Sequence, residues 1–466
     1  MLKFYNCNDY RNNNRGHNSV VHLRCTQHYK RLCQGTAKIE ITADGTEWTN
    51  LRPHTCAPNA THRQVLHLRQ EILRQAVDNF NRPYEPPAAL VDRVRAGWPD
   101  PNAAAQVPPC RMRSAIYRAQ NRLYPRVPVS IYHLGFLLND NQWQHLTSTI
   151  CGTDNIFGGV VHGPDGSTSV VFVSRRIRVY MRRARLVFCD GTFGSRPNIP
   201  QSSQVLQICS VVNNTVMPLV QVLMNSKSQE AYEAVLRHLR NTIPGFNPQT
   251  VMTDFEAGLQ NAWREVYHCH VHGCYWHYCR AVLRKVKELR LRPHMQQNRN
   301  LRSIIRSMLA LPLLPTNLII RGYRTLMVEA QRTGLLGLLN ELFQYWTDTW
   351  AAPHVFQSLS VYGLRHRTNN VCESANRLLR SKTGAHRPGL WHFLSALRRN
   401  EHCTFLKLRA ALMGIPASRC RKVSAVNNDT NIRNYNLQLF RGHISINRFL
   451  HLASLRVLRV FDAIVV

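Results

Sequence analysis

The stretch Ala184–Phe193, ARLVFCDGTF, runs apolar residues straight into an acid and then a glycine. Leu186, Val187, Phe188 and Cys189 form a short apolar run bounded by turn signals, which reads as a buried strand. Asp190 stands where that run stops. The pattern recurs in VMTDFEAG, where Val251, Met252 and Thr253 lead into Asp254 and a helical pattern opens at Glu256. Open α/β sheets place ligands in the crevice at the carboxyl ends of their strands, so these two acids are candidates for one site. A third acid, Glu373, lies on the helical stretch RTNNVCESANRLL. Each has a structural alternative: an Asp-Gly turn for Asp190, a helix N-cap for Asp254 and a surface helix charge for Glu373.

Outward from this stretch, the pattern is that of an α/β domain beginning near residue 134. HLTSTI, VVHG, SVVFVS, ARLVFCD, QVLQICSVV and TVMPLVQVLM read as strands, followed by a helix over 229–242 and the strand TVMTD. A helix from Glu256, the strand-like HCHVHGC and a helix from about Trp276 to Leu289 complete the first part, 134–290. Residues 291–360 read as almost wholly helical. If the three acids share a site, this segment is an insertion looping out of the sheet. Residues 361–400 return as helices, the amphipathic stretch LWHFLSALRRNEHCTFLKLRAAL from Leu390 running on past 400, and 401–466 otherwise read as a basic tail. Ahead of the domain, residues 1–61 carry the short strands VVHLRC and AKIEIT, and 62–133 form a basic, proline-punctuated helical segment.

The chain has 466 residues, with 60 Lys and Arg against 26 Asp and Glu, a formal charge of +34. Such an imbalance makes a polyanion, and for a non-secreted chain nucleic acid, the default partner. The N-terminal MLKFYNCNDYRNN lacks the apolar core of a signal peptide, which argues against secretion. The longest uncharged stretch, Pro197 to Ser226, contains several Asn and Gln and two further prolines, so it reads as buried sheet and not membrane. The 14 cysteines of a non-exported chain read as metal ligands or core thiols.

DGTF after an apolar strand, TDFEAGLQNAW, GCYWHYCRAVLRKV and RTNNVCESANRLLR occur in this order. In these four motifs the chain resembles Mutator-like element (MULE) transposases over residues 185–300 and 366–400. The resemblance implies an RNase H-like catalytic fold with a helical insertion between the second Asp and the Glu. It implies Asp190, Asp254 and Glu373 as an acidic catalytic triad holding Mg²⁺ or Mn²⁺, leaving out Glu256, whose place in a first helical turn explains it without chemistry. Two metal ions held by such acids clamp the attacking and leaving oxygens of a phosphodiester. Cys274 and His277 form the family's Cys-x2-His element. Two readings stay open for them: zinc ligands, or a buried thiol beside a histidine that orients DNA or a carboxylate.

Cys25, Cys33, His54 and Cys56 are spaced Cys-x7-Cys-x20-His-x-Cys. Two such pairs around a strand-rich loop can converge on a tetrahedral zinc, which a module with little core needs for stability. The surrounding VVHLRCTQHYKRLCQGTAKIEIT resembles the FLYWCH zinc finger, with Leu23 where that family has Trp and Cys56 where it has its second His. Arg24, His28, Lys30, Arg31 and Arg52 are candidate phosphate contacts.

The expectation is therefore a nuclear DNA transposase that binds double-stranded transposon terminal repeats and target DNA and cleaves and joins strands as a homodimer or larger assembly, without a membrane partner. A domesticated DNA-binding regulator that kept the fold but not the reaction is the alternative. A nuclease acting on RNA or hybrids ranks last, because no RNA-recognition signature is present.

Overall fold

Alternation of side chains along each strand, and a 3.6-residue stripe along each helix, decide which faces are buried. The computed structural model describes residues 2–5, 8–12, 20–25, 33–42, 45–56, 60–78, 85–384, 386–415 and 423–456. His28, Lys30 and Arg31 lie outside them. The chain divides into two units, Met1–Arg126 and Val127–Val466.

The first unit opens with five antiparallel strands in chain order: β1 (Leu2–Tyr5), β2 (Asn8–Asn12), β3 (Val20–Cys25), β4 (Thr36–Thr42) and β5 (Gly45–Arg52). Helices Ala60–Asp78, Pro87–Ala96, Pro101–Ala105 and Pro109–Asn121 follow. Val65, Leu68, Ile72 and Ala76 recur at helical spacing and pack against Leu90, Val91, Met112 and Ile116 in a small separate core. Each of the three shorter helices begins with proline, whose missing N–H is no loss at a helix start.

The second unit is a mixed α/β domain. Its sheet has seven strands: β6 (Phe157–His162), β7 (Thr168–Phe172), β8 (Leu186–Thr192), β9 (Gln204–Val212), β10 (Thr215–Met224), β11 (Thr250–Thr253) and β12 (His270–Gly273). Their order is β12-β11-β8-β9-β10-β7-β6. β12, β11 and β8 are mutually parallel, and every other pairing is antiparallel.

Both faces of the sheet are covered. Val187, Cys189, Leu206 and Ile208 point to one face, packed by helices Gln229–Thr242 and Ala257–Tyr267. Phe188, Cys209 and Met252 point to the other, packed by helix Tyr275–Glu288 and by Val371, Cys372 and Ala375 of helix Asn370–Thr383. The uncharged stretch from Pro197 to Ser226 is largely β9 and β10, buried by both layers. Among the described residues no helix is long and apolar enough to cross a membrane.

Three expectations change. HLTSTI is no strand: Asn141–Leu146 is a 3₁₀ turn whose start is capped by the Asp140 carboxylate, which accepts from the Gln142 N–H, after helix Ile131–Asn139. Asp190 does not end its strand, because β8 runs two residues further against β9, with Asp190 opposite Gln207 and Gly191 opposite Leu206. Residues 401–466 are not a featureless tail. Beyond helix Leu390–Leu412, which the apolar pattern of LWHFLSALRRNEHCTFLKLRAAL already marks, helices Val423–Phe440 and Ile446–Ser454 follow. Phe449, Leu450 and Ala453 join Ile304, Ile305 and Met308 of the inserted helices in one core. The Ser445 cap and the short apolar stripe behind it were too brief to stand out among polar neighbours.

Phe449 is fully buried, so Phe449→Ala is expected to destabilise the chain by about 3 kcal/mol or more in urea unfolding. A loss below about 1 kcal/mol would place helix Ile446–Ser454 outside the core.

Candidate functional site

Parallel pairing brings the first two acids together. Met252 on β11 is level with Phe188 on β8, and each acid lies two residues further along its chain, which brings Asp254, just past the end of β11, beside the part of β8 that carries Asp190. Gly191 is no turn residue. A β-carbon there would come within 2.0 Å of Gln204 Oε1, so any larger residue would displace the buried Gln204 side chain. Asp254 is not the cap of the following helix either; that position is Glu256, whose carboxylate accepts from the Tyr232 hydroxyl at 2.8 Å.

The Asp254 backbone is clamped. Its carbonyl accepts from Gln260 Nε2 at 2.9 Å and from the Thr253 hydroxyl at 2.7 Å. Gln260 is itself held by the Ser358 hydroxyl at 2.8 Å, from a helix at the end of the insertion, Pro353–Leu359.

Glu373 arrives in the first turn of helix Asn370–Thr383. Asn369, fully buried just ahead of that helix, fastens it: its side chain donates to the Cys189 carbonyl and its backbone N–H to Cys274 Sγ, both at 3.2 Å. One turn beyond Glu373, Asn376 Nδ2 donates to Asp190 Oδ2 at 2.9 Å.

Burial pushes the Asp190 carboxyl up, and the charges of Asp254 and Glu373 push it further, against the easing charge of His277, to about 7. Asp254 and Glu373 thus both lie within electrostatic reach of Asp190. His277 Nδ1 lies 2.8 Å from Asp254 Oδ1, yet neither atom has a hydrogen bond of good geometry. Burial lowers the imidazole, but contacts with Asp254 and Cys274 outweigh it and raise it to about 10. Asp254, Cys274 and His277 offer ligand atoms all within 4.8 Å of one another, an arrangement that could hold a metal ion.

A second cluster lies in the first unit. Cys25 Sγ and Cys56 Sγ are 3.7 Å apart, and His54 Nδ1 lies 3.4 Å from Cys33 Sγ and 3.6 Å from Cys56 Sγ. Tetrahedral zinc with ordinary bond lengths separates two sulfurs by about 3.8 Å and a sulfur from a nitrogen by about 3.5 Å, so the donor set has the size of a zinc tetrahedron. Burial raises the Cys33 thiol, but backbone N–H groups of Gly35, Thr55 and Cys56 and the Cys56 side chain outweigh it and bring it down to about 5. Gly35 is needed here, since a β-carbon would meet the His54 ring at 2.7 Å.

Residues 186–281 match the MULE transposase domain. The matched span holds Asp190, Asp254, Cys274 and His277 and ends before Glu373. No curated protein matches the chain. This part of the chain is thus similar to a transposase-related domain. Sequence reading missed Asn376, Asn369, Gln207 and Gln260; it left open that His277 orients a carboxylate, and that carboxylate is Asp254. The one available signal was the recurrence of Asn around Glu373, at 369, 370 and 376.

Asp190 is harder to ionise in the folded chain than the usual value of 3.8. The folded state therefore keeps a proton that the unfolded state releases between pH about 4 and 7, and stability falls as pH rises through that window. Asp190→Asn is expected to raise the melting temperature of the metal-free chain at pH 8 and to leave it unchanged near pH 4. An equal effect at both pH values would contradict this origin.

For the sulfur-rich cluster, Cys33→Ser is expected to lose a zinc ion relative to the wild-type chain by elemental analysis. Equal zinc content in the two proteins would show that the cluster holds none.

Proposed function

We propose that the chain is a MULE-type DNA transposase whose α/β domain is an RNase H-like core, with Asp190, Asp254 and Glu373 as its DDE triad. The observation that carries this reading is that Asp254, at the end of the strand paired in parallel with β8, and Glu373, on a helix fastened to β8, both act on Asp190. A three-stranded antiparallel unit, β8 to β10, with β11 and β12 added in parallel on the far side of β8, supports the core assignment.

The residues fit divalent metal. Asp254 and Glu373 both act on Asp190 as like charges, and His277 acts on it as a counter-charge. Hard oxygen ligands of this kind suit Mg²⁺ or Mn²⁺, with phosphate and water completing the shell. Bound there, two such ions would supply an activated attacking oxygen and charge neutralisation at the leaving one. The protein's own part is to hold Asp190 and Asp254 level, to lay Glu373 across them, and to keep a protonated His277 beside Asp254. Cys274 and His277, joined by Asp254, form either a site for a softer metal or an ion pair that fixes the second acid.

The charge of +34 supports double-stranded DNA, transposon terminal repeats and target, as the partner. The first-unit cluster supports a FLYWCH-like zinc module that contributes to DNA binding. A nucleus-located homodimer or larger assembly completes the reading, since two element ends must be handled together.

Asp190→Asn, Asp254→Asn and Glu373→Gln are each expected to abolish Mg²⁺- or Mn²⁺-dependent nicking of DNA carrying the element's terminal repeats while leaving its binding intact. Persisting cleavage in one variant removes that residue from the triad. A wild-type chain that binds but never cleaves would instead identify a domesticated DNA-binding regulator.

A further inference from the structure

Asp190 and Gln207 face each other on neighbouring antiparallel strands, and Asn376 lies over both. Gln207 Nε2 donates to Asn376 Oδ1 at 2.5 Å, and Asn376 Nδ2 donates to Asp190 Oδ2 at 2.9 Å. We propose that Asn376 is a positioning residue, which uses Gln207 as its anchor to fix Asp190 and Glu373 as a matched pair of cation ligands. The proposal rests on the reading of those two acids given above.

The chain of hydrogen bonds has a direction. An ionised carboxylate only accepts, so the Asn376 amide must turn its NH₂ to Asp190 and its oxygen away. That oxygen then needs a donor, and the Gln207 amide turns its NH₂ to supply it. The cost falls at the far end, where Gln207 Oε1 is buried without a partner. Burying an unpaired acceptor is unfavourable, so the arrangement is held by what it secures at Asp190.

It secures two things. Asp190 Oδ2 is occupied by the amide, which leaves the other carboxylate oxygen to face a cation. Asn376 also lies one helical turn from Glu373, on the same side of helix Asn370–Thr383. The hydrogen bond that orients Asp190 therefore sets how far Glu373 leans over β8. Asn376 touches neither DNA nor metal in this scheme. It acts as partners behind metal ligands do, and losing such a partner costs about 10- to 100-fold in metal affinity.

The test measures Mn²⁺ binding to the full chain without DNA, from the free-ion electron paramagnetic resonance signal, together with DNA nicking across Mn²⁺ concentrations. Asn376→Ala is expected to weaken Mn²⁺ binding by about tenfold or more, to shift the nicking curve to higher Mn²⁺ by the same factor, and to leave nicking near wild type at saturation. Gln207→Met, which keeps the volume but removes the donor, is expected to shift both in the same direction by less. It also keeps the test open should Asn376→Ala fold poorly.

Unchanged Mn²⁺ affinity in both folded variants would overturn the proposal. So would a loss of nicking that excess Mn²⁺ does not restore, which would give Asn376 a part in the reaction itself. Failure of the underlying reading looks different: Asp190→Asn would then bind Mn²⁺ as the wild-type chain does.

Discussion

The parallel pairing of β8 with β11 is the constraint on which the site depends, because it alone makes neighbours of Asp190 and Asp254. The chain does not reach this pairing directly. It leaves β8 through the antiparallel β9 and β10, moving away across the sheet, and returns through helix Gln229–Thr242 to lay β11 on the opposite side of β8. That return is stabilised by the buried stripe Ala231, Tyr232, Val235, Leu236 and Leu239. Burying the larger side chains of such a stripe contributes about 1.5 to 3 kcal/mol each. The displacement of Asp190 from 3.8 to about 7 corresponds to roughly 4 kcal/mol of unfavourable interaction when the acid is ionised. The packing term wins, so the fold can hold acids together that would otherwise repel.

The charge distribution points the same way. A chain with a formal charge of +34 has abundant cations with which to neutralise three acids, yet the groups acting on Asp190 include two carboxylates and a single histidine. Lysine or arginine in that position would stabilise the acids and also occupy their oxygens. Placing Asp190 beside other acids raises its energy when it is ionised.

Legibility in the sequence followed the range of the interactions. Strands β8, β9, β10 and β11 and helix Gln229–Thr242 could be read because each carries its own apolar period, and helix Gln229–Thr242 starts where the Ser228 hydroxyl caps it. Motif resemblance singled out the three acids, and the zinc-sized cluster could be read because its four ligands form two local pairs. What could not be read depends on tertiary partners. Asp190 looked like a strand end because the Asp-Gly pair is an ordinary turn signal, whereas packing against Gln204 makes Gly191 a strand residue. Helix Ile446–Ser454 was hidden because its apolar residues are few and their partners lie in the insertion. Asn376 and Gln207, far apart in sequence, meet only once β9 and helix Asn370–Thr383 are both in place.

The insertion, long in sequence, is a brace for the site and not merely a loop between acids. Its last helix supplies Ser358 to Gln260, and Gln260 holds the Asp254 carbonyl. Two residues on, the Ser360 carbonyl meets His272 Nδ1 at 2.7 Å on the edge strand β12. Helix Tyr275–Glu288, which carries His277, is anchored by its buried neighbour Tyr278: the hydroxyl donates to the Met308 carbonyl at 2.7 Å and accepts from Trp346 Nε1 at 3.0 Å. His277 and Tyr278 are consecutive and leave the helix in different directions, one toward Asp254 and one into the insertion. Loosening the core around Trp346 would therefore move His277 against Asp254 without touching either. The second acid is set from two sides by the insertion and the first from the helix that follows it, so the inserted helices take part in the geometry of the site they interrupt.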